Sequence, residues 1–131
     1  FEMGSAISSA KVPKSKAFTD AYEKKYGVPI EAGHGISPSY ESVYLLAEAI
    51  ERAGSVDADA IVAELEKADR VGVMGRIKFD EGHQVVYDMD PETSAVAAVI
   101  QWNGDGSRSI VFPTTIADAA IKLPAGLKPA K

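Results

Sequence analysis

Apolar residues recur with a helical period near the start of the chain. Their spacings of one, three and four positions place them on one helix face: Ala17, Phe18, Ala21, Tyr22 and Tyr26. Pro13 suits the first turn of a helix, and Gly27 suits its end. The pattern therefore predicts a first helix over residues 13–26.

A second and a third helix follow, and the second has the broader apolar stripe. Ser37-Pro38 supplies an N-cap followed by proline at the first helical position, and Gly54 ends the helix. We expect a broad stripe to be buried, with Leu46 and Ala53 at its margin: Tyr40, Val43, Tyr44, Ala47 and Ile50. Asp57 is the predicted N-cap of the third helix, whose apolar positions are Ile61, Leu65 and Ala68.

The pattern changes to that of strands in the second half of the chain. Residues 76–79 alternate, and the unbroken apolar run 95–102 predicts a strand buried on both faces. The turn signal at 103–106 predicts a hairpin whose second strand is 109–112. Apolar strands of this length need neighbours on both sides, and the chain offers few. We therefore expect α/β material whose strand partners are missing.

The two ends of the chain have a different character. Residues 1–9 are mostly small and polar, which predicts a connection, and 123–131 is rich in Pro, Ala and Lys, which predicts a flexible tail. The chain opens on Phe1 rather than on Met, so we expect a signal segment to lie upstream.

Composition excludes several functional classes. The 131 residues are 46% hydrophobic and 25% charged, as in an ordinary globular domain, and the net charge of −5 argues against nucleic-acid binding. There is no cysteine, so disulfides and thiolate chemistry are excluded. No apolar run approaches the roughly 20 residues of a membrane span.

Candidate chemistry is sparse. His34 and His83 lie in separate predicted loops without metal-ligand spacing, and the acidic turn at 103–108 lacks the glycine of a calcium loop. Gly72 and Gly75 lack the lysine of a phosphate-binding loop. No acid–base pair is apparent, so we expect no catalysis, no metal and no cofactor. The tyrosines of the helices are expected in the core, with Tyr40 the best placed to face a cleft.

Several segments of the chain, in order, resemble the motifs of one protein family. Residues 18–27 (FTDAYEKKYG) resemble the family's F-x-x-A-Y-x-x-K-Y-G helix, and residues 40–54 resemble its Y-D-A-V-Y-L-L-A-E-A-I-E-R-A-G helix, with Glu41-Ser42 for the usual Asp-Ala. Residues 72–81 (GVMGRIKFDE) are similar to its G-x-x-G-x-I-x-F-D-E segment. The segments 99–102 and 110–113 are similar to its closing hairpin. The chain thus resembles the branched-chain amino-acid type of periplasmic solute-binding proteins.

The resemblance implies a C-terminal segment of a type I periplasmic-binding fold. That fold is α/β, Rossmann-like and two-lobed, and this chain would be incomplete on its own. Residues 10–82 would contribute to one lobe, 83–94 would form a crossing or loop, and 95–122 would form a hairpin and end segment of the other lobe. The missing part would be present as a second chain, or the chain would form a swapped oligomer.

The resemblance also implies function and site residues. A small molecule such as an amino acid or related organic acid or amide would be captured for ABC import, with an ABC permease as partner. The location would be periplasmic or extracytoplasmic, with a lipid anchor in a Gram-positive organism. Ligand-binding residues would come from the loop entering the second helix: His34, Gly35, Ile36, Ser37 and Tyr40.

A second function stays open. The same fold serves as a ligand-sensing domain of receptors and regulators. Flanking sequence distinguishes the two, because an appended transmembrane or output domain indicates sensing.

Overall fold

The computed structural model describes residues 2–5, 9–30, 35–123 and 126–127. Within these residues the helices are α1 (Ser15–Tyr26), α2 (Ile36–Ala53) and α3 (Ala58–Leu65). The strands are β1 (Glu2–Ser5), β2 (Asp69–Gly72), β3 (Gly75–Lys78), β4 (Ala97–Trp102) and β5 (Arg108–Phe112).

The predicted ends of the first two helices and the predicted N-cap of the third are confirmed. Gly27 and Gly54 both adopt left-handed backbone angles, with φ of 71° and 59°, and each donates its N–H to a carbonyl of the last helical turn. Glycine adopts these angles without the steric cost that other residues bear. Asp57 caps α3 by accepting a 3.1 Å hydrogen bond from the Ala60 N–H.

The predicted starts of the first two helices and the predicted end of the third need correction. α1 begins at Ser15, preceded by Lys14 at a left-handed φ of 63°, and Pro13 lies outside the helix. α2 begins at Ile36 with Gly35 in the cap position, so Ser37 lies inside the helix and is not its N-cap. α3 ends at Leu65 and does not include Ala68. Ala68 instead precedes β2, a strand that the sequence pattern did not predict.

The buried face of α2 differs from the predicted stripe. The residues at four-residue intervals, Ser37, Glu41, Leu45 and Ala49, are buried, whereas Val43, Tyr44 and Leu46 are exposed. The prediction assumed that apolar residues define the inner face. A carboxylate lies there instead, because Glu41 finds hydrogen-bond donors in the fold, as described below.

Strands β1, β4 and β5 form an antiparallel sheet with β4 in the centre. The predicted hairpin of β4 and β5 is confirmed. Residues 1–9 were predicted as a connection, but Glu2–Ser5 is a strand paired along β4. Both neighbours of β4 therefore lie within the chain and are not missing. Ala98 and Ile100 are buried and Ala97 is exposed, so β4 is not buried on both faces.

The apolar core of the described residues has two parts. One contains Val12, Val96, Ala98, Ile100, Ile110 and Ile116 against the three-stranded sheet. The other joins Leu45 of α2 to Ala68 and Ile77 beside the β2–β3 hairpin. The assignment of residues 10–82 and 95–122 to separate lobes stays a prediction.

The β2–β3 hairpin is fixed against the segment that precedes β4. Arg76 donates its backbone N–H to the carbonyl of Ser94, and Val96 donates to the carbonyl of Met74. Gly75 has a φ of 94°, and a β-carbon there would lie 2.5 Å from the Ser94 carbonyl oxygen. Only glycine fits this contact. The hairpin therefore presents β2 towards α2 in a defined position.

Candidate ligand groove between the first two helices

A groove of ≈ 650 Å³ opens between α1, the first half of α2 and the β2–β3 hairpin. This volume lies within the range of small-molecule sites. Its α1 side is formed by Lys14, Ala17, Phe18, Ala21, Tyr22, Lys25 and Tyr26. Its other side is formed by Ile36, Tyr40, Glu41, Tyr44, Arg70 and Val73.

Aromatic rings form much of the groove wall. The ring centroids of Phe18 and Tyr40 are 4.5 Å apart, and those of Tyr40 and Tyr44 are 4.9 Å apart. Tyr22 and Tyr26 make a second pair at 4.6 Å. All three pairs are tilted, which is a favourable arrangement for aromatic rings at these distances. The helical spacing of the tyrosines therefore produces a groove wall rather than a closed core.

A buried carboxylate lies at the base of the groove. Glu41 is 1% exposed, and one of its oxygens accepts a 2.6 Å hydrogen bond from the Val73 backbone N–H. Its other oxygen accepts a 2.7 Å hydrogen bond from Nε of Arg70. A charge buried in this way is tolerated only when it is paired and hydrogen-bonded.

Arg70 connects this carboxylate to the aromatic wall. Its Nη1 also pairs with Glu48, and its guanidinium lies 4.8 Å from the centroid of the Tyr44 ring, in a cation–π contact. Burial by itself would lower the pKa of Arg70. The hydrogen bond to Glu41 and the charges of Glu41 and Glu48 outweigh that effect, so the pKa is raised and the guanidinium stays charged.

The Tyr40 hydroxyl donates to the Tyr44 hydroxyl over 3.4 Å. That hydrogen bond is the main reason why the pKa of Tyr40 is raised, and burial and the nearby Glu41 carboxylate act in the same direction. All three effects favour the neutral phenol. Tyr40 therefore serves as a hydrogen-bond donor at neutral pH.

Only some of the predicted site residues that the structure describes lie in the groove. Ile36 and Tyr40 line the groove, and their role as ligand contacts stays a prediction. Gly35 is exposed at the start of α2, and Ser37 is buried and does not line the groove. His34 lies outside the described residues. His83, predicted to have a surface or turn role, is exposed in the turn after β3, with its Nδ1 3.2 Å from a Glu66 oxygen.

Sequence reasoning missed Arg70, Glu41 and Val73 as groove residues. One signal for Glu41 was available, since Glu41-Ser42 departs from the usual Asp-Ala of the resembling helix. Nothing in the local pattern around Arg70 indicated that it would reach across to α2. Its role follows from the β2 strand, which was not predicted.

Within the described ranges, no group of three or more His, Cys, Asp or Glu side chains could hold a metal ion. None of the helices in those ranges has the length and apolarity that crossing a membrane requires.

Comparison with known proteins decides the family. The family described as "Periplasmic binding protein" matches residues 4–107, which include all three helices and the groove. The chain belongs to this family. The resemblance drawn from the sequence motifs, and the α/β fold class that it implied, are thereby confirmed.

Curated relatives agree with the family. The chain is 28% identical over 123 residues to "Leu/Ile/Val-binding protein homolog 7" of Brucella suis biovar 1 (strain 1330), which covers 91% of this chain and 29% of the relative. The corresponding protein of Brucella melitensis biotype 1 is 29% identical over the same coverage. The "Leucine-, isoleucine-, valine-, threonine-, and alanine-binding protein" of Pseudomonas aeruginosa is 30% identical over 76% of this chain and 24% of the relative.

The match to these relatives is partial on their side. The chain spans less than a third of the length of the relatives it matches. Its small sheets fit the expectation of an incomplete periplasmic-binding fold. Membership of the family indicates a solute-binding protein. The partial coverage of the relatives leaves the ligand and the partners of this chain as proposals.

Proposed function

We propose that this chain is the groove-bearing part of an extracytoplasmic solute-binding protein that delivers a small molecule to an ABC permease. Membership of the periplasmic binding protein family carries the proposal, and the groove between α1 and α2 supports it. Binding by lobe closure needs no bond-making residue, so we infer capture without catalysis. The matching relatives named for amino-acid binding favour an amino acid or related organic acid or amide as ligand.

The proposed ligand contacts combine prediction and geometry. Ile36 and Tyr40 are retained from the sequence prediction because they line the groove. Gly35 and Ser37 flank the start of α2, where the positive end of the helix dipole favours a negative group. His34, in the preceding loop, is retained as a proposal from the family resemblance alone.

We also propose that the remaining part of the same protein covers the outward face of α2. This face presents Val43, Leu46 and Ala47 to solvent, and Val43 is 67% exposed. Apolar side chains grouped on one helix face are normally packed against another element. The greater length of the relatives supports the presence of such an element in the whole protein.

Native mass spectrometry of the chain as isolated from its source tests this arrangement. We expect a species heavier than the 13.9 kDa of the chain alone, containing either a second polypeptide or a further copy. A compact monomer of 13.9 kDa would contradict the arrangement. Additional polypeptide of the same protein supports coverage of α2 by the remainder, whereas a homo-oligomer contradicts it and supports a swapped assembly.

Isothermal titration calorimetry on the isolated assembly tests solute binding. We expect at least one member of a panel of amino acids, their amides and organic acids to bind, and Tyr40→Ala to weaken that binding by roughly tenfold. Tyr87→Phe is the matched control, because Tyr87 lies in the segment after β3 and does not line the groove. Absence of binding by every compound overturns the proposed function.

A further inference from the structure

The tip of the β4–β5 hairpin holds two reactive dipeptides in succession, Asn103-Gly104 and Asp105-Gly106. In each, the backbone nitrogen of glycine can attack the side-chain carbonyl carbon of the preceding residue and close a five-membered succinimide ring. Glycine favours this attack because it has no β-carbon to crowd the nitrogen or to restrict the backbone. The surroundings of each pair therefore decide whether the ring forms there.

The structure protects the second pair. The Gly106 N–H, whose nitrogen would have to attack, donates to the Asn103 carbonyl over 3.1 Å. One oxygen of the Asp105 carboxylate accepts the Ser107 hydroxyl at 2.7 Å and the Ser107 N–H at 2.9 Å. These hydrogen bonds, first the one from the hydroxyl, lower the pKa of Asp105 and keep it ionised at neutral pH. A carboxylate resists attack, because its charge repels the nucleophile and oxide is a poor leaving group.

The first pair lacks both protections. Asn103 carries a neutral carboxamide, which can lose its nitrogen as ammonia. Gly104 is exposed, and no atom beyond its chain neighbours lies within 4 Å of where a β-carbon would be. Its N–H meets no hydrogen-bond acceptor in the part of the chain that the structure describes. The attacking nitrogen is therefore uncommitted, and water can reach the turn.

Two hydroxyl groups hold the carboxamide of Asn103 in its present orientation. Its Nδ2 donates to Oγ of Ser107 and to Oγ of Ser109, each over 3.0 Å. Departure of this nitrogen as ammonia breaks both hydrogen bonds. The two serines therefore slow the reaction but do not block it.

We propose that Asn103 is a site of spontaneous deamidation through a succinimide, and that Ser107 and Ser109 restrain the reaction. The Gly104 nitrogen loses its proton to hydroxide and bonds to Cγ of Asn103. The bond from Cγ to Nδ2 then breaks, and the nitrogen takes up a proton from water and leaves as ammonia. A second water molecule opens the imide at either carbonyl and leaves aspartate or isoaspartate at position 103. Both products add a negative charge beside Asp105, and isoaspartate also adds a methylene group to the backbone of the turn.

Incubation of the isolated assembly at mildly acidic and mildly alkaline pH tests the proposal. Intact mass and peptide mapping follow the conversion, and a synthetic peptide of residues 100–106 is the unfolded reference. We expect conversion at position 103 at a rate that rises with hydroxide concentration, with isoaspartate among the products. Asn103 is the only asparagine in this chain, so the mass change is readily assigned. Asp105 should show no isoaspartate.

Variants test the attacking nitrogen and the restraint. Gly104→Ala should suppress the conversion, because its β-carbon crowds the nitrogen, and the open space around it leaves the hairpin intact. Ser109→Ala should accelerate the conversion roughly fivefold, the factor that corresponds to one hydrogen bond. Ser42→Ala is the matched control, since its hydroxyl donates to the Pro38 carbonyl within α2, and it should leave the rate unchanged.

Three results would overturn the proposal. A folded chain that stays unconverted when the peptide has reacted completely shows that the turn is closed to attack. Isoaspartate at position 105 in place of 103 shows that the protection is assigned to the wrong pair. A rate that Ser109→Ala leaves unchanged, or that Ser42→Ala raises equally, shows that the two serines do not restrain the reaction.

Discussion

The carboxylate of Glu41 lies in the space that a side chain at position 72 would occupy. A β-carbon built on Gly72 would be 2.3 Å from Cδ of Glu41 and 2.4 Å from each of its oxygens. Glu41 cannot move aside freely, because it accepts hydrogen bonds from Val73 and Arg70. Position 72 of β2 therefore requires glycine, because the Glu41 carboxylate of α2 occupies the adjoining space. The same carboxylate joins α2 to the β2–β3 hairpin through its hydrogen bonds.

We expect Gly72→Ala to destabilise the chain by about 2–3 kcal/mol, because the new methyl group must displace a hydrogen-bonded carboxylate or the strand itself. Urea unfolding followed by circular dichroism measures the change. Gly104→Ala is the control, since no atom lies within 4 Å of a β-carbon there, and it should alter stability by less than about 0.5 kcal/mol. Equal stability of the two variants would show that Glu41 does not hold this position.

Removal of Arg70 tests how far its charge stabilises the buried carboxylate of Glu41. Arg70→Met leaves the carboxyl group of Glu41, which is 1% exposed, without its counter-ion, so we expect a loss of about 3–5 kcal/mol in unfolding free energy. Combination with Glu41→Gln should restore part of this loss, because the amide oxygen still accepts from Val73 and carries no charge.

Arg52→Met is the control for the Arg70 variant. Arg52 also pairs with a glutamate, Glu64, but its side chain is 41% exposed, and such pairs contribute about 0–1 kcal/mol. If the double variant of Arg70→Met and Glu41→Gln is no more stable than Arg70→Met alone, Arg70 stabilises the fold by packing on Tyr44 and not by its charge.

The predictable part of this fold is the part that local sequence dictates. The ends of α1 and α2 follow from Gly27 and Gly54, because left-handed caps favour glycine whatever surrounds them. The hairpin of β4 and β5 follows from its turn signal. β1 was missed because a short strand of small and polar residues has no periodicity that distinguishes it from a connection.

The site was less predictable than the fold. Tyr40 could be placed near a cleft from its position in the first turns of α2, and the structure does place it in the groove. Arg70 could not, since its contact with Glu41 spans 29 positions and depends on the pairing of β2 with β3. The buried face of α2 was assigned one position out of phase, because a carboxylate with tertiary partners replaced an apolar residue.

The ion pair of Asp69 with Arg76 predicts a specific acid response. The hydrogen bond from Arg76, at 2.6 Å, is the main reason why the pKa of Asp69 lies below its ordinary value of 3.8. A carboxyl whose pKa is lower in the folded state stabilises the fold above its ordinary pKa. That contribution is lost as the pH falls from about 3.8 through the folded value.

We expect Arg76→Met to return the pKa of Asp69 towards 3.8, measured by NMR titration of the carboxyl carbon. As the pH falls from about 4 to the pKa of Asp69 in the folded parent chain, the variant should also lose less free energy of unfolding than the parent. The reason is that the pKa of Asp69 in the variant no longer differs between the folded and unfolded states. Arg52→Met, which removes a cation from a different pair, should leave the Asp69 titration unchanged. If the pKa of Asp69 is unaltered in Arg76→Met, the ion pair is not the cause of the lowered pKa.

Alkaline titration of Tyr40 tests the hydrogen bond on the groove wall. The pKa of Tyr40 is raised above 10.0, first by its hydrogen bond to Tyr44 and then by burial. A group with a raised folded pKa stabilises the fold below its ordinary pKa, and this contribution is lost as the pH rises from about 10.0 through the folded value. Tyr44→Phe removes the acceptor, so we expect the pKa of Tyr40 to fall towards 10.0.

This titration must be resolved by residue, because burial also raises the pKa of Tyr87. NMR of ring-labelled tyrosine separates the two, and Tyr26→Phe, in the other aromatic pair, is the control that should not change Tyr40. If the pKa of Tyr40 is unchanged in Tyr44→Phe, burial and the Glu41 charge dominate instead. The Tyr40 O–H would then not be committed to Tyr44 and would be available to donate to a ligand in the groove.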